Sequence, residues 1–445
     1  MRNNYSKEKT IVCKGEYLNE EGRTIIKDDK EVISVPFLLP LEEAEITYSK
    51  VGKHYHTRIN KLIKTSNDRV KARCPHYTVC GGCQMMHMSY DAQLKHKTKI
   101  VKRLMKSIPV DPVIGMDEPW FYRNKVISSF AHQKKVTSGF YKMYSHDVVT
   151  IQKCYVQDQL ADPIIKTINS LANKYKLRVY NEDTKNGFLR HVLIRTGHVT
   201  GEVLIVLVVS NKVFPGKSGF VKDLIKSHPE IKTIVQNVNS RKTSVVLGDQ
   251  EIVLYGNGQI KDKLCGLTFS ISSKSFYQIN PVQTEKLYNL ANEMANINKN
   301  DIVVDTYSGI GTISLIAAKK AKQVFGVEIN KDAVKNAIKN AKVNQIKNVR
   351  FITGDAGHTM VQMAKEKMPI TTVIMDPPRS GSDEKFLSSV VKLKPQKIVY
   401  ISCNPVTQKR DMDFLIKRGY KVKKVVPVDM FPMTHHVETC ALLTK

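Results

Sequence analysis

From about Ser270 the sequence changes rhythm: segments of strand character begin to alternate with segments of helix character and continue so to the end of the chain. Parallel strands cannot be joined by a tight turn and need a crossover, usually a helix, so this alternation predicts a parallel, doubly wound sheet. The clearest unit is the apolar run Ile302-Val303-Val304, which leads into Asp305-Thr306-Tyr307-Ser308-Gly309-Ile310-Gly311-Thr312, with Thr312–Lys320 as the following helix. Gly309 and Gly311 let a ligand lie against backbone where a side chain would block it.

Two more strand ends point the same way. Gln323–Val327 ends in Glu328, seventeen residues after Gly311, where an acid can hold both ribose hydroxyls of an adenosine ligand. Val349–Thr353 ends in Gly354-Asp355, with Asp355 placed to reach an adenine edge. The dinucleotide fingerprint would need glycine at position 314, which is Ser314, so the pattern favours S-adenosylmethionine over NAD. A turn without a ligand is the plainer reading, but three successive strand ends with suitable groups argue against it.

The chemistry lies further along. Strand Thr371–Met375 ends in Asp376-Pro377-Pro378-Arg379, and strand Lys397–Ile401 ends in Ser402-Cys403-Asn404-Pro405. Ligands of open parallel sheets bind at the carboxyl ends of the strands, so Asp376 and Cys403 belong to one crevice. A last strand, about Val437–Leu443, begins beside Glu438; if it runs antiparallel, its start lies at the same edge. A thiol, an acid and a methyl donor together suit methylation at carbon 5 of uracil. That carbon is a poor nucleophile until a thiolate adds to carbon 6, and a base must then remove the carbon 5 proton. Cys403 fits the nucleophile and Glu438 the base, while Asp376 is placed to hydrogen-bond the uracil edge or the methyl donor.

Residues 270–445 resemble the RNA uracil-5-methyltransferases of the TrmA and RumA type. The resemblance rests on Ser275-Phe276-Tyr277-Gln278-Ile279-Asn280, Asp305-x-Tyr307-x-Gly309-x-Gly311, Asp376-Pro377-Pro378-Arg379, Ser402-Cys403-Asn404-Pro405 and Pro432-x-Thr434-x-His436-Val437-Glu438-Thr439. It implies that Gln278, Tyr307, Glu328 and Asp376 contact the methyl donor, that Cys403 is the nucleophile and that Glu438 accepts the proton. It also implies that Phe276 stacks on a flipped target base.

Eight cysteines without a secretion signal argue against a disulfide framework. Cys74, Cys80, Cys83 and the distant Cys154 form a four-thiolate set that suits either zinc or an iron–sulfur cluster. The resemblance to RumA-type enzymes implies a [4Fe–4S] cluster on these four residues. Cys13, Cys265 and Cys440 read as structural.

Residues 1–66 show short strands (Thr10–Lys14, Arg23–Lys27, Glu31–Pro36, Ala44–Lys50, His54–Leu62) that suit a small β-barrel, and they resemble a TRAM domain, an OB-like RNA-binding barrel. Residues 67–268 predict a central α+β domain, with strands Val126–His132, His191–Thr196 and Glu202–Ser210 and helices Tyr90–Met105, Ile164–Tyr175 and Phe220–Ser227. Residues 269–445 complete a multi-domain α/β chain with a Rossmann-like methyltransferase domain.

The charge, 70 Lys and Arg against 41 Asp and Glu for a net of +29, predicts a polyanionic partner, most commonly nucleic acid. Lys95, Lys97, Lys99, Lys102, Arg103 and Lys106 make helix Tyr90–Met105 strongly basic, as either a solvated face or an RNA-facing one. No apolar run reaches bilayer length and Met1–Thr10 is polar, which together predict a cytoplasmic protein with no membrane association. The expectation is a monomeric 23S rRNA methyltransferase. A tRNA T-loop uridine methyltransferase and an inactive methyltransferase-like RNA-binding or assembly factor are the alternatives. DNA is not expected, because the motifs of a DNA cytosine-5-methyltransferase are missing.

Overall fold

The structure is a computed structural model that describes residues 7–241, 243 and 245–445; the first six residues of the polar Met1–Thr10 stretch lie outside the described residues. Near the N-terminus two three-stranded antiparallel sheets face each other. One orders Lys9–Lys14, Glu43–Val51 and His54–Lys64; the other orders Tyr17–Leu18, Thr24–Asp28 and Glu31–Val35. Ile26, Ile33, Val35, Leu38, Ala44 and Ile46 fill the space between them. Glu42 is buried at its rim, where Arg69 Nε and Nη2 donate to its carboxylate at 2.5 and 2.6 Å and the Leu39 amide donates at 2.8 Å.

The middle of the chain forms a seven-stranded sheet, in spatial order Gln250–Tyr255, Ile231–Val238, Val203–Val209, Leu189–Thr196, Lys125–His132, Val136–Tyr141 and Val148–Thr150. All neighbours are antiparallel except Val203–Val209 with Ile231–Val238, which are parallel and joined through helix Lys217–Ser227. The unbroken apolar run Val203–Val209 is explained by cover on both faces. Val203, Ile205, Leu207 and Val209 pack under that helix and helix Ala161–Lys174. Leu204, Val206 and Val208 join a core shared with the hairpin Gln259–Leu264/Leu267–Ser272 and with the C-terminal sheet.

The C-terminal sheet also has seven strands. Its spatial order is Val349–Thr353, Gln323–Glu328, Ile302–Asp305, Thr372–Met375, Lys397–Ser402, Glu438–Thr444 and Lys421–Val428. The first five are parallel, as the alternation predicts. Glu438–Thr444 is antiparallel to both neighbours and lies between Lys397–Ser402 and Lys421–Val428. The order reverses between Ile302–Asp305 and Thr372–Met375, so the crevice of the doubly wound sheet opens there.

Helix Tyr90–Met105 has the bounds the sequence predicts, yet it lies against the C-terminal sheet rather than the middle one. Val101 and Met105 share a core with Val373, Ile398, Tyr400 and Val425. The segment after it runs along the outer edge of Lys421–Val428, where the amides of Asp111 and Ile114 donate to Val425 and Pro427 carbonyls at 3.0 and 2.9 Å. That segment pairs the groups an edge strand would otherwise leave open. Lys97 departs from both expectations for the basic helix: it is 1% exposed and its Nζ lies 2.6 Å from Asp429 Oδ1. No helix among the described residues is long and apolar enough to cross a membrane.

Candidate active site

The glycine turn after Ile302–Asp305 is shaped by crowding on one side and open space on the other. Gly311 sits at φ 86°, and a Cβ there would come within 2.8 Å of the Phe351 ring. Gly309, at φ 55°, faces open space, with no described atom within 4 Å of where its Cβ would be. Both positions therefore favour glycine, Gly311 for want of room and both for their positive φ. Asp305 is buried beneath the turn and accepts from Ser314 Oγ at 2.6 Å, while its Oδ1 finds no partner among the described residues. Burial pushes its carboxyl up to about 6.

Glu328 closes the turn from the neighbouring strand. Its Oε2 accepts the Gly309 amide at 3.0 Å and its Oε1 the Asn330 amide at 2.8 Å. Tyr307 rests against Phe386, ring centroids 5.6 Å apart, and its hydroxyl lies 3.4 Å from Ser382 Oγ. Asp355 also caps helix Ala356–Lys365 at its N-terminus, where its Oδ1 accepts the His358 amide at 2.9 Å. Gln278 is buried, and its backbone carbonyl accepts from Asn124 Nδ2 at 3.1 Å. Two residues earlier, Phe276 is 66% exposed, a large apolar ring turned to solvent on the loop before helix Pro281–Met294.

The reactive groups converge beside that crevice. Ser402 pairs with Thr439 across the antiparallel rung, and Thr439 Oγ1 donates to Ser402 O at 3.2 Å. Cys403 follows Ser402 and Glu438 precedes Thr439, so both lie at this end of the rung, and the Glu438 charge reaches the Cys403 thiol. Glu438 is 3% exposed, with Oε2 unpaired among the described residues. Burial first, and then the Asp376 carboxylate, push it up to about 8. Burial and Asp305 push Asp376 up to about 7. The Cys403 thiol is raised by burial and by the Glu438 and Asp376 carboxylates, and Arg379 offsets part of this through its charge and a hydrogen bond to the thiol.

Arg379 and His436 belong to the sequence motifs, yet the motifs alone assign them no role. Arg379 Nη2 lies 2.9 Å from His436 Nδ1, and its carbonyl accepts from Asn404 Nδ2 at 3.0 Å and Thr407 Oγ1 at 3.2 Å. Arg379 thus ties together the loops that carry Asp376, Cys403 and Glu438. Burial pushes His436 down to about 3, so the ring facing Arg379 is neutral. The available signal was a cation three residues past a strand-end acid, in a chain with two acids aimed at one thiol.

The expected four-thiolate site is drawn together only in part. Cys74, Cys80, Cys83 and Cys154 line one cavity of about 260 Å³, together with Arg123 and Lys125. None of the eight cysteines is in a disulfide. Among the described residues, however, no three His, Cys, Asp or Glu side chains are gathered closely enough to hold a metal ion. A tetrahedral zinc needs its thiolates within about 2.3 Å of one point. The described side chains therefore show neither a zinc site nor a cluster site already gathered; what the structure brings together is four thiols on one cavity.

Comparison with known proteins places this architecture. Residues 89–445 match the family model described as tRNA (Uracil-5-)-methyltransferase. An uncharacterized RNA methyltransferase of Oceanobacillus iheyensis is 43% identical over 96% of this chain and 95% of its own length. One from Bacillus cereus is 41% identical over 96% and 95%. Among solved structures, the Pyrococcus abyssi tRNA (uracil-54, C5)-methyltransferase in complex with S-adenosyl-L-homocysteine superposes with a TM-score of 0.78. It is 26% identical, and the match covers 98% of this chain and 100% of that one. The chain belongs to the tRNA (uracil-5-)-methyltransferase family, whose model spans its helix Tyr90–Met105 and the whole of its C-terminal sheet.

Proposed function

We propose that this enzyme transfers a methyl group from S-adenosylmethionine to carbon 5 of a uridine in 23S rRNA, through a covalent bond between Cys403 and carbon 6 of the base. The observation that carries this reading is the meeting of Cys403, Glu438 and Asp376 at one sheet edge, beside a glycine turn with open space above Gly309. S-adenosylmethionine supplies an electrophilic methyl group. The turn at Gly309 and Gly311, with Tyr307, Glu328, Asp355 and Gln278 around it, binds and orients that donor.

The Cys403 thiol gives its proton to solvent, Arg379 holds the thiolate that forms, and the sulfur adds to carbon 6. Carbon 5, now enolate-like, attacks the methyl group, whose bond to the sulfonium sulfur breaks to leave S-adenosylhomocysteine. Glu438, ionised, removes the carbon 5 proton, and the pair of electrons left behind expels the Cys403 thiolate. Asp376, at about 7, serves as donor or acceptor to the uracil edge. Phe276 offers a flat face to the extruded base.

The N-terminal double sheet, read as a TRAM-like RNA-binding barrel, and a cluster on Cys74, Cys80, Cys83 and Cys154 support an rRNA substrate by resemblance to RumA-type enzymes. The cluster would tie the 74–83 loop to the segment around Cys154. A specific observation favours a second reading, a tRNA T-loop uridine. The Pyrococcus tRNA enzyme matches over 98% of this chain, so a protein with that substrate shares the overall architecture, N-terminal portion included. Nucleoside mass spectrometry on separately purified 23S rRNA and tRNA, from cells with and without the gene, tests both. Loss of 5-methyluridine from 23S rRNA alone supports the first reading, and loss from tRNA alone supports the second. Loss from neither overturns both.

A further inference from the structure

Helix Pro405–Ile416 begins two residues after Cys403, and it grips the loop that carries Asp376 and Arg379 at two places. Near its start, Asn404 and Thr407 bind the Arg379 carbonyl. About one turn further along, Arg410 and Asp411, which belong to none of the sequence motifs, take hold of residues 380–382. Arg410 Nη2 donates to Ser380 O at 3.0 Å and to Ser382 O at 3.1 Å. Asp411 is 1% exposed. Its Oδ2 accepts the Ser382 amide at 2.8 Å and the Tyr400 hydroxyl at 2.7 Å, and its Oδ1 accepts Arg410 Nε at 2.8 Å.

The loop is shaped to close on this pair. Gly381 sits at φ 74°, and a Cβ there would lie 2.6 Å from Asp411 Oδ2 and 2.7 Å from Arg410 Nη2. A side chain at that position would push the loop off its support. The Gly381 amide donates to Pro378 O at 2.8 Å, which closes a turn with Arg379 at its second position. On the other side, Ser382 Oγ lies 3.4 Å from the Tyr307 hydroxyl. Asp383 then caps helix Glu384–Leu393, accepting the Phe386 amide at 2.7 Å, and Phe386 supports the Tyr307 ring. One short span thus joins Arg379, beside the Cys403 thiol, to Tyr307 at the glycine turn.

A buried carboxylate is costly unless its lone pairs are matched. Asp411 lies in mid-helix and caps nothing. Its donors come from strand Lys397–Ser402, which leads to Cys403, from the loop that carries Arg379, and from its own neighbour. We propose that Asp411, braced by Arg410, is a positioning residue for the reaction: it sets the Arg379 guanidinium beside the Cys403 thiol and Tyr307 against the methyl donor. This rests on the reading of Cys403 as the nucleophile.

The thiol faces Glu438 and Asp376, which oppose its ionisation, and Arg379, which favours it, so a slackened loop should cost thiolate. The test follows alkylation of Cys403 by iodoacetamide against pH, on the full chain without RNA, by peptide mass spectrometry. Asp411→Asn keeps the size of the side chain but turns an amide donor toward donors. Arg410→Met removes the braces on Ser380 and Ser382 from a side chain that is 57% exposed, so it tests the idea even if Asp411→Asn fails to fold. Each should slow alkylation at pH 8 by about fivefold, converge with wild type at high pH, and weaken S-adenosylhomocysteine binding by about threefold. Tyr400→Phe removes only the strand's donor and leaves the loop contacts, so it should alkylate like wild type even where thermal melts show it less stable. On an RNA that wild type methylates, kcat should fall by about tenfold in the first two variants while KM for RNA holds. Unchanged alkylation in folded Arg410→Met and Asp411→Asn would overturn the proposal. Equal slowing in Tyr400→Phe would also overturn it and make Asp411 an anchor of the core alone. If wild type methylates no RNA, the functional reading fails, while the alkylation profiles still decide whether the pair sets Arg379 on the thiol.

Discussion

Cys403 follows Ser402 and Glu438 precedes Thr439, the last paired residues where a parallel strand and an antiparallel strand meet. Thirty-five positions apart in sequence, the two are brought to one end of the sheet by that pairing, and the Glu438 carboxylate helps to raise the Cys403 thiol. The proposed nucleophile and the proposed base are therefore placed by the sheet.

This relationship gives the first expectation. Glu438→Gln keeps the size of the side chain and removes its basicity, so addition and methyl transfer should proceed while elimination stalls. A denaturing gel should show RNA bound covalently to the protein, and the band should vanish in the Cys403→Ala/Glu438→Gln double variant. If no adduct forms with an RNA that wild type methylates, Glu438 is not the base.

Cys403→Ala alone should abolish methyl transfer. Its methyl-donor affinity should stay within about twofold of wild type, because Cys403 is not among the residues proposed to hold the donor. Calorimetric titration with S-adenosylhomocysteine beside a single-turnover assay checks both halves. Residual turnover near the wild-type rate would remove the covalent mechanism.

Glu438 also makes stability depend on pH, and the sign can be worked out. Its folded value of about 8 lies above the ordinary carboxyl value of 4.5, so between these limits the folded state binds more protons than the unfolded state. Stability contributed by the protonated acid is full below about pH 4.5 and is lost as pH rises toward 8. Glu438→Gln should therefore be more stable than wild type at pH 8, by on the order of 4 kcal/mol, and by less than about 1 kcal/mol at pH 5. Thermal melts at the two pH values test this. Turnover should run the other way in wild type, rising with pH as Glu438 ionises and the Cys403 thiol, also raised, gives up its proton.

Lys97 joins helix Tyr90–Met105 to the loop that leads to Glu438. Besides Lys97, Asp429 accepts from the Tyr90 hydroxyl at 2.9 Å. Lys97→Met leaves a buried carboxylate without its cation and should cost about 3 to 5 kcal/mol. Adding Asp429→Leu should recover much of that loss. Denaturant melts of the two variants separate an unpaired charge from a mere loss of packing.

Cys80→Ser should bleach a brown, anaerobically prepared enzyme and lower its iron content. Should elemental analysis of the wild type find zinc and no iron, the iron–sulfur reading is wrong.

The sequence alone determined the parallel sheet, the glycine turn and the bounds of helix Tyr90–Met105, because these follow from local patterns: strand–helix alternation, backbone freedom at glycine, and unbroken helix-forming residues. It also marked Cys403, Glu438 and Asp376, because chemically distinctive residues sit at strand ends. The tertiary structure decided which surfaces meet. Helix Tyr90–Met105 packs on the C-terminal sheet, and Lys97, one of six basic residues read as a surface feature, is buried against Asp429, 332 positions away. No periodicity encodes a partner that distant. The same holds for the link between Arg379 and His436, and for the raised acids at Asp376 and Glu438. Their behaviour comes from exclusion of water and from neighbouring carboxylates, quantities that exist only once the chain has closed around them.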